Sequence, residues 1–134
     1  MRRVEELKRL GVTRVIFDGR TKLGNLGLLG KGCVGLVVKA EAAGEMCALK
    51  IRRVDANRVS MLREADLQRL ANRVGVGPVL LRASDNFLLM SLVEGESIIS
   101  WIRELKGRGA TARLKDALQE VLTQCFKLDQ VGLD

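Results

Sequence analysis

Leu29-Gly30-Lys31-Gly32-Cys33-Val34-Gly35-Leu36-Val37, followed by Cys47-Ala48-Leu49-Lys50, is the stretch of the chain that decides its architecture. Three glycines spaced Gly30-x-Gly32-x-x-Gly35 could open a helix or join two strands. The residues that follow, Leu36-Val37-Val38, settle the choice. β-Branched side chains disfavour a helix start and suit a strand. The loop is therefore expected to join two strands. It also lacks the Gly-Lys-Ser/Thr ending of a P-loop. Without side chains, a strand-turn-strand brings its backbone amides close to a bound anion. Val37, two residues past the last glycine, would point inward over a flat ligand. A glycine-rich hairpin without a ligand is the alternative at this point.

Lys50 ends the apolar strand Met46-Cys47-Ala48-Leu49-Lys50-Ile51. Strand alternation puts Ala48 and Lys50 on one face and Leu49 on the other. An inward lysine is costly unless it meets an anion. Glu64 is the candidate carboxylate. On a helix it shares a side with Met61, Leu67 and Ala71, beside an apolar stripe. The alternatives are a Lys50 that reaches water from the strand end and a Glu64 that is an ordinary surface group beside Gln68. Glu5, Glu6 and Asp66 are read as plain surface charges.

Around this stretch the pattern predicts helix 3–10, strand 12–17, a Gly/Leu-rich approach over 21–29, strand 36–40, a turn over 41–45, strand 46–51, a helix over 57–73 capped by Asp55 or Asn57, strands 79–83 and 87–93, and helices 97–106 and 111–131. Short turns between neighbouring strands make them antiparallel. The fold class is α+β, because helices and strands do not alternate as a parallel α/β fold requires. In the last helix Leu114, Leu118, Val121, Leu122, Cys125 and Leu128 form an apolar stripe.

Composition narrows the function classes. A chain of 134 residues with 47% hydrophobic residues can bury a core as one domain. There is no histidine, so His/Cys zinc sites are excluded, and cysteines 33, 47 and 125 have no metal-type spacing. Three free thiols fit a reducing compartment, so the expected localisation is cytoplasmic. No apolar run reaches a membrane-spanning length, so no membrane partner is expected. The net charge is +7, but basic and acidic residues are interspersed. The few aromatic residues, Phe17, Phe87, Trp101 and Phe126, build no stacking platform, and nucleic acid is not the expected partner.

Taken together, these motifs resemble the small lobe of protein kinases, and within it the small microbial RIO-like group of serine/threonine kinases. Leu29-Gly30-x-Gly32-x-x-Gly35-x-Val37 looks like the glycine-rich loop, and Cys47-Ala48-Leu49-Lys50 like the Val-Ala-Ile-Lys strand. Glu64, in Leu62-Arg63-Glu64-Ala65, falls where that family's αC helix carries its lysine-pairing glutamate. Phe87 to Gly95 looks like the strand and connection that hold adenine. The resemblance implies an antiparallel five-stranded sheet plus the αC helix over 28–96. It leaves 1–27 as an N-terminal helix and strand extension, and 97–134 as two helices of an incomplete second lobe. It implies ATP as ligand and assigns catalytic positions to Lys50, which would hold the α- and β-phosphates, and to Glu64, which would orient it. It assigns binding to Leu29, Gly30, Lys31, Gly32, Cys33, Val34, Gly35, Leu36, Val37, Ala48, Lys50, Met90, Ser91 and Val93. Met90 would guard the adenine pocket, and the backbone of Ser91 and Val93 would hydrogen-bond the base. No residue matches the family's catalytic base or its Asp-Phe-Gly aspartate. No metal ligand is assigned, magnesium is expected only in a longer chain, and a chain cut short of the catalytic loop is expected to be inactive alone. A protein substrate belongs to that longer form, and self-association through the C-terminal helices is an expected partner class. The alternative is a non-catalytic regulatory or nucleic-acid-binding module.

Overall fold

The computed structural model describes residues 2–133; Met1 and Asp134, the outer ends of the expected flanking segments, lie outside them. In chain order the elements are α1 (Arg2–Arg9), β1 (Val12–Ile16), β2 (Thr21–Leu23), β3 (Leu26–Leu28), β4 (Gly30–Lys31), β5 (Gly35–Ala42), β6 (Glu45–Arg52), α2 (Leu62–Arg73), β7 (Leu80–Ala83), β8 (Phe87–Ser91), α3 (Ile98–Glu104) and α4 (Ala110–Gln130). The α+β class expected from the pattern is found. The main sheet runs β1-β5-β6-β8-β7, with β4 also on β5, and each of these pairings is antiparallel. β2 and β3 form a separate hairpin.

β5 organises the sheet. β6 covers one of its edges along the full length, from Gly35↔Arg52 to Ala42↔Glu45. The other edge is shared by two pieces of chain. β1 pairs Lys39 to Ala42, and β4 pairs Leu36 and Val37. Residues 21–29, expected as an approach to a strand, instead make the β2–β3 excursion between these two pieces. At its base Gly19 packs so tightly that a Cβ there would stand 2.0 Å from the Leu28 carbonyl oxygen. The β5–β6 turn is two residues, shorter than the expected 41–45. Ala43 and Gly44 both take left-handed φ, +52° and +78°. That is the geometry of a tight hairpin whose twist matches its strands.

Strand alternation sorts the apolar residues onto two faces. On one, Leu10, Leu28, Val38, Ala40, Ala42, Cys47, Leu49, Phe87 and Leu89 are buried, with Leu7, Val12, Val15, Leu36 and Ile51 packed around them. On the other, Ala48, Leu88 and Met90 meet Met61 and Ala65 of the α2 region, with Leu29, Val34 and Val37 alongside. Leu49, Met61 and Leu88 are fully buried, and each stabilises the fold by roughly 1.5–3 kcal/mol.

α2 begins at Leu62, not at residue 57, and neither Asp55 nor Asn57 caps it. Asp55 is engaged by Arg53, and the stretch before the helix is held by other elements. The Arg53 amide donates to Val34 O at 2.8 Å and the Met61 amide to Asp85 O at 2.9 Å. Ser60 Oγ accepts from the Leu62 amide at 3.1 Å and donates to Asp85 at 2.7 Å. β8 ends at Ser91 rather than 93, and α3 starts at Ile98, with the Ser97 hydroxyl accepting from the Ser100 amide. α4 has no buried residue, and Leu122 and Phe126 on it are 69% and 61% exposed.

Glu6 on α1 is not a plain surface charge. Its carboxylate accepts from Ser84 Oγ at 2.6 Å, from the Asn86 amide at 3.1 Å and from Asn86 Nδ2 at 2.6 Å. Burial would raise its pKa; the hydrogen bonds from Ser84 and Asn86, with Arg3 nearby, outweigh burial and hold it below the ordinary value of 4.5. The anchor's contribution is therefore complete above that pH and is lost as the pH falls through the lower folded value. Unfolding of Glu6→Gln by urea at pH 7 and at pH 3 checks this: the variant loses less stability than the wild type on acidification. A second outcome follows from the hairpin. Ala43→Gly relieves the left-handed strain and raises stability by about 0.5–1 kcal/mol, read from the urea midpoint.

Candidate functional site

β4, β5, β6, α2 and the segment after β8 bring most of the sequence-selected residues to one side of the sheet. Lys50 stands near the end of β6, paired across the ladder with Val37 on β5 and Leu88 on β8. Its Nζ forms an ion pair with Glu64 Oε1 on the first turn of α2. Both side chains are mostly buried, 26% and 21% exposed. Of the alternatives open in the sequence, the structure has the pair. Gln68 serves another purpose, donating to Pro78 O at 2.9 Å and to the Met90 sulfur at 3.7 Å. The second Glu64 oxygen accepts from Arg58 Nη1 at 3.2 Å. Periodicity could not single out Arg58, because the expected helix had swallowed it.

The glycine loop joins two strands, β4 and β5, and its tip is Cys33-Val34. The Gly32 amide donates to Gly35 O at 2.9 Å. None of Gly30, Gly32 and Gly35 takes a left-handed φ. Glycine is required at 35 by close approach instead. A Cβ there would lie 3.0 Å from Ile51 O and 3.1 Å from Lys50 Cε, so any side chain would press on the lysine stem. Glycine at 35 and lysine at 50 are thus one packing unit.

Two clefts open beside this unit and share Val37. The first, about 590 Å³, is lined by the loop from Gly30 to Gly35 and by Lys50, Arg58, Glu64 and Leu67. Lys31, Lys50 and Arg58 face a single carboxylate in it, so its wall is net positive. The second, about 640 Å³, is lined by Leu29, Val37, Ala48, Met90, Ser91, Leu92 and Val93, and by residues 95–97 and Ser100. Leu29, Val37, Ala48 and Met90 make its apolar part, and Val93 at its edge is 70% exposed. The Ser91 amide already donates to Val79 O at 2.8 Å and is not free to bind a ligand. A phosphate-sized anion suits the first cleft, and a planar apolar ring with polar edges suits the second.

Leu36 is the one sequence-selected position carried away from these clefts. It lies on the other face of β5, packed with Ile51 against the opposite core. Lys31 is exposed and lines both the basic cleft and a smaller one on the far side. Cys33 is an exposed free thiol at the loop tip, and Cys47 is buried, its thiol pushed up by burial and by Glu45. A larger cleft, about 830 Å³, lies elsewhere, between α1 and the β7–β8 turn, and carries both charge signs. Among the described residues, no three histidine, cysteine or acidic side chains come together to hold a metal ion, and no helix is long and apolar enough to cross a membrane. No family model matches the chain, and no curated protein is significantly similar to it.

The pair also matters to stability. Removing one partner strands a charge in a partly buried place. Glu64→Ala is expected to lower stability by about 1–2 kcal/mol after allowance for the water that still reaches Lys50. Arg58→Ala, on the more exposed bond, is expected to cost less than about 0.5 kcal/mol. Urea unfolding of both variants measures the difference.

Proposed function

We propose that the chain is the ATP-binding part of a protein-kinase-like phosphotransferase. The observation that carries this reading is the Lys50–Glu64 ion pair set directly behind the glycine loop. Lys50 has one carboxylate neighbour and faces a basic cleft, so a second, mobile anion is what its ammonium would meet there. In this reading the α- and β-phosphates lie between Lys50 and the loop amides. Glu64 holds the lysine extended, and Arg58 holds Glu64.

In this reading adenine occupies the apolar cleft lined by Leu29, Val37, Ala48 and Met90. The Ser91 carbonyl and the Val93 backbone supply the base's hydrogen bonds. Leu36 has no part in the site, and Cys33 approaches the phosphates only through its backbone. Phosphoryl transfer depends on positioning and on neutralising the charge of the phosphates. The described residues fit the nucleotide but do not fit a magnesium ion, for want of grouped carboxylates. In this reading residues 1–134 bind nucleotide without turnover, because none of them matches the family's catalytic base or its Asp-Phe-Gly aspartate.

Calorimetric titration with ATP tests the reading. The wild type binds, and Lys50→Ala weakens binding about tenfold or more, the loss expected when a charge-assisted phosphate contact is removed. Equal titrations for the two proteins would rule the site out.

A further inference from the structure

A line of hydrogen bonds runs from α1 to the Lys50–Glu64 pair. It starts at Glu6, which Asn86 reaches through Nδ2 at 2.6 Å. With its other end, Oδ1, Asn86 accepts from Arg52 Nε at 3.1 Å and Nη2 at 2.8 Å. Arg52 Nη1 donates to the Arg58 carbonyl at 2.8 Å. Arg58 in turn reaches Glu64 Oε2, whose partner oxygen holds Lys50. α1 grips Arg52 a second time, because Arg3 Nη1 donates to its carbonyl at 2.9 Å.

The chemistry of each link is directional. A carboxylate only accepts and a guanidinium only donates. The residue between Glu6 and Arg52 must therefore donate on one side and accept on the other, which the Asn86 amide does. An aspartate at 86 would face Glu6 with a like charge. The turn that carries Asn86 also holds the entry to α2, through Asp85 and both Ser60 and Met61. One turn thus ties α1, the end of β6 and the start of the Glu64 helix. α1 itself has no buried residue, and the cleft of about 830 Å³ separates part of it from that turn. α1 is held by the Glu6 and Arg3 bonds and by Leu7 against the sheet, so loosening these few contacts releases it.

We infer that α1 is a positioning element for the Lys50–Glu64 pair, acting through Glu6, Asn86, Arg52 and Arg58, so that seating or releasing α1 tunes the affinity for nucleotide. The nucleotide part of this inference rests on the function proposed above; the positioning part does not. Glu6 and Asn86 are positioning residues and touch no ligand. Anything that captures α1, or the arginines and acids of its cleft, would act on the phosphate site through this line.

A double substitution tests it. Asn86→Asp reverses the link to Glu6, and adding Glu6→Gln restores it, because the new amide donates to the new carboxylate. ATP titration of the full chain, at a temperature where circular dichroism shows each variant folded, is expected to give about three- to tenfold weaker binding for Asn86→Asp and recovery to within about twofold in the double variant. Alongside it, a Lys50→Met and Glu64→Gln unfolding cycle in the wild-type and Asn86→Asp backgrounds reads the pair directly. The coupling between the two residues, as a ratio of unfolding constants, is expected to fall at least about threefold. Unchanged affinity and unchanged coupling in Asn86→Asp overturn the inference. If Lys50→Ala also leaves the ATP titration unchanged, the nucleotide reading has failed, and the unfolding cycle alone decides the positioning line. Should Asn86→Asp not fold, Glu6→Gln alone, which keeps the side chain's shape, is expected to show the same changes in weaker form, and no change there overturns the inference equally.

Discussion

A lysine held largely out of water at the end of β6 is the constraint on which the rest of the structure turns. An ammonium there is tolerable only with an anion at hand. The protein meets this with a carboxylate on a separate element, so α2 must sit at one height and rotation against the sheet. Met61 and Ala65, four residues apart on the buried side of the helix next to Glu64, supply the apolar contact that fixes that rotation. Gly35 supplies the clearance in front of the lysine stem. Changing any one of these three shifts the same ammonium.

The strand pairing explains why the glycine loop stands where it does. β5 is the longest partner of β6, and its free edge is filled by two separate pieces of chain, β1 and β4. Only the short β4 leads into the loop, so the loop is a tight turn at the sheet's corner, beside Lys50. The excursion through β2 and β3 lets the chain leave and rejoin that edge, at the cost of a very close crossing at Gly19. A basic cleft and an apolar one then share a single side chain, Val37. That adjacency is what a nucleotide, anionic at one end and flat and apolar at the other, would use.

Much of this was legible in the sequence, for identifiable reasons. Leu36-Val37-Val38 after the last glycine marked a strand, and alternation alone placed Lys50 inward. Spacings of three and seven put Glu64 on a common side with Met61, Leu67 and Ala71, and so brought it to the lysine. What escaped has equally physical grounds. Helix periodicity ran on past the true start of α2, because Arg53, Ser60 and Met61 are held by bonds to Val34 and Asp85, which are distant in sequence. Arg58 was lost inside that expected helix. Glu6 looked like any charged residue on an exposed helix, since its partners lie 78 and 80 positions away. Leu36 was selected by its place in a motif, yet alternation sends it to the opposite core.

Residue-by-residue amide shifts on adding ATP test the central claim most directly. If the clefts around Val37 hold the nucleotide, the shifts concentrate at Gly30 to Gly35, at Lys50 and at residues 91–93, with smaller changes along α2. Shifts confined to α1 and the β7–β8 turn, or none at millimolar ATP, would contradict it.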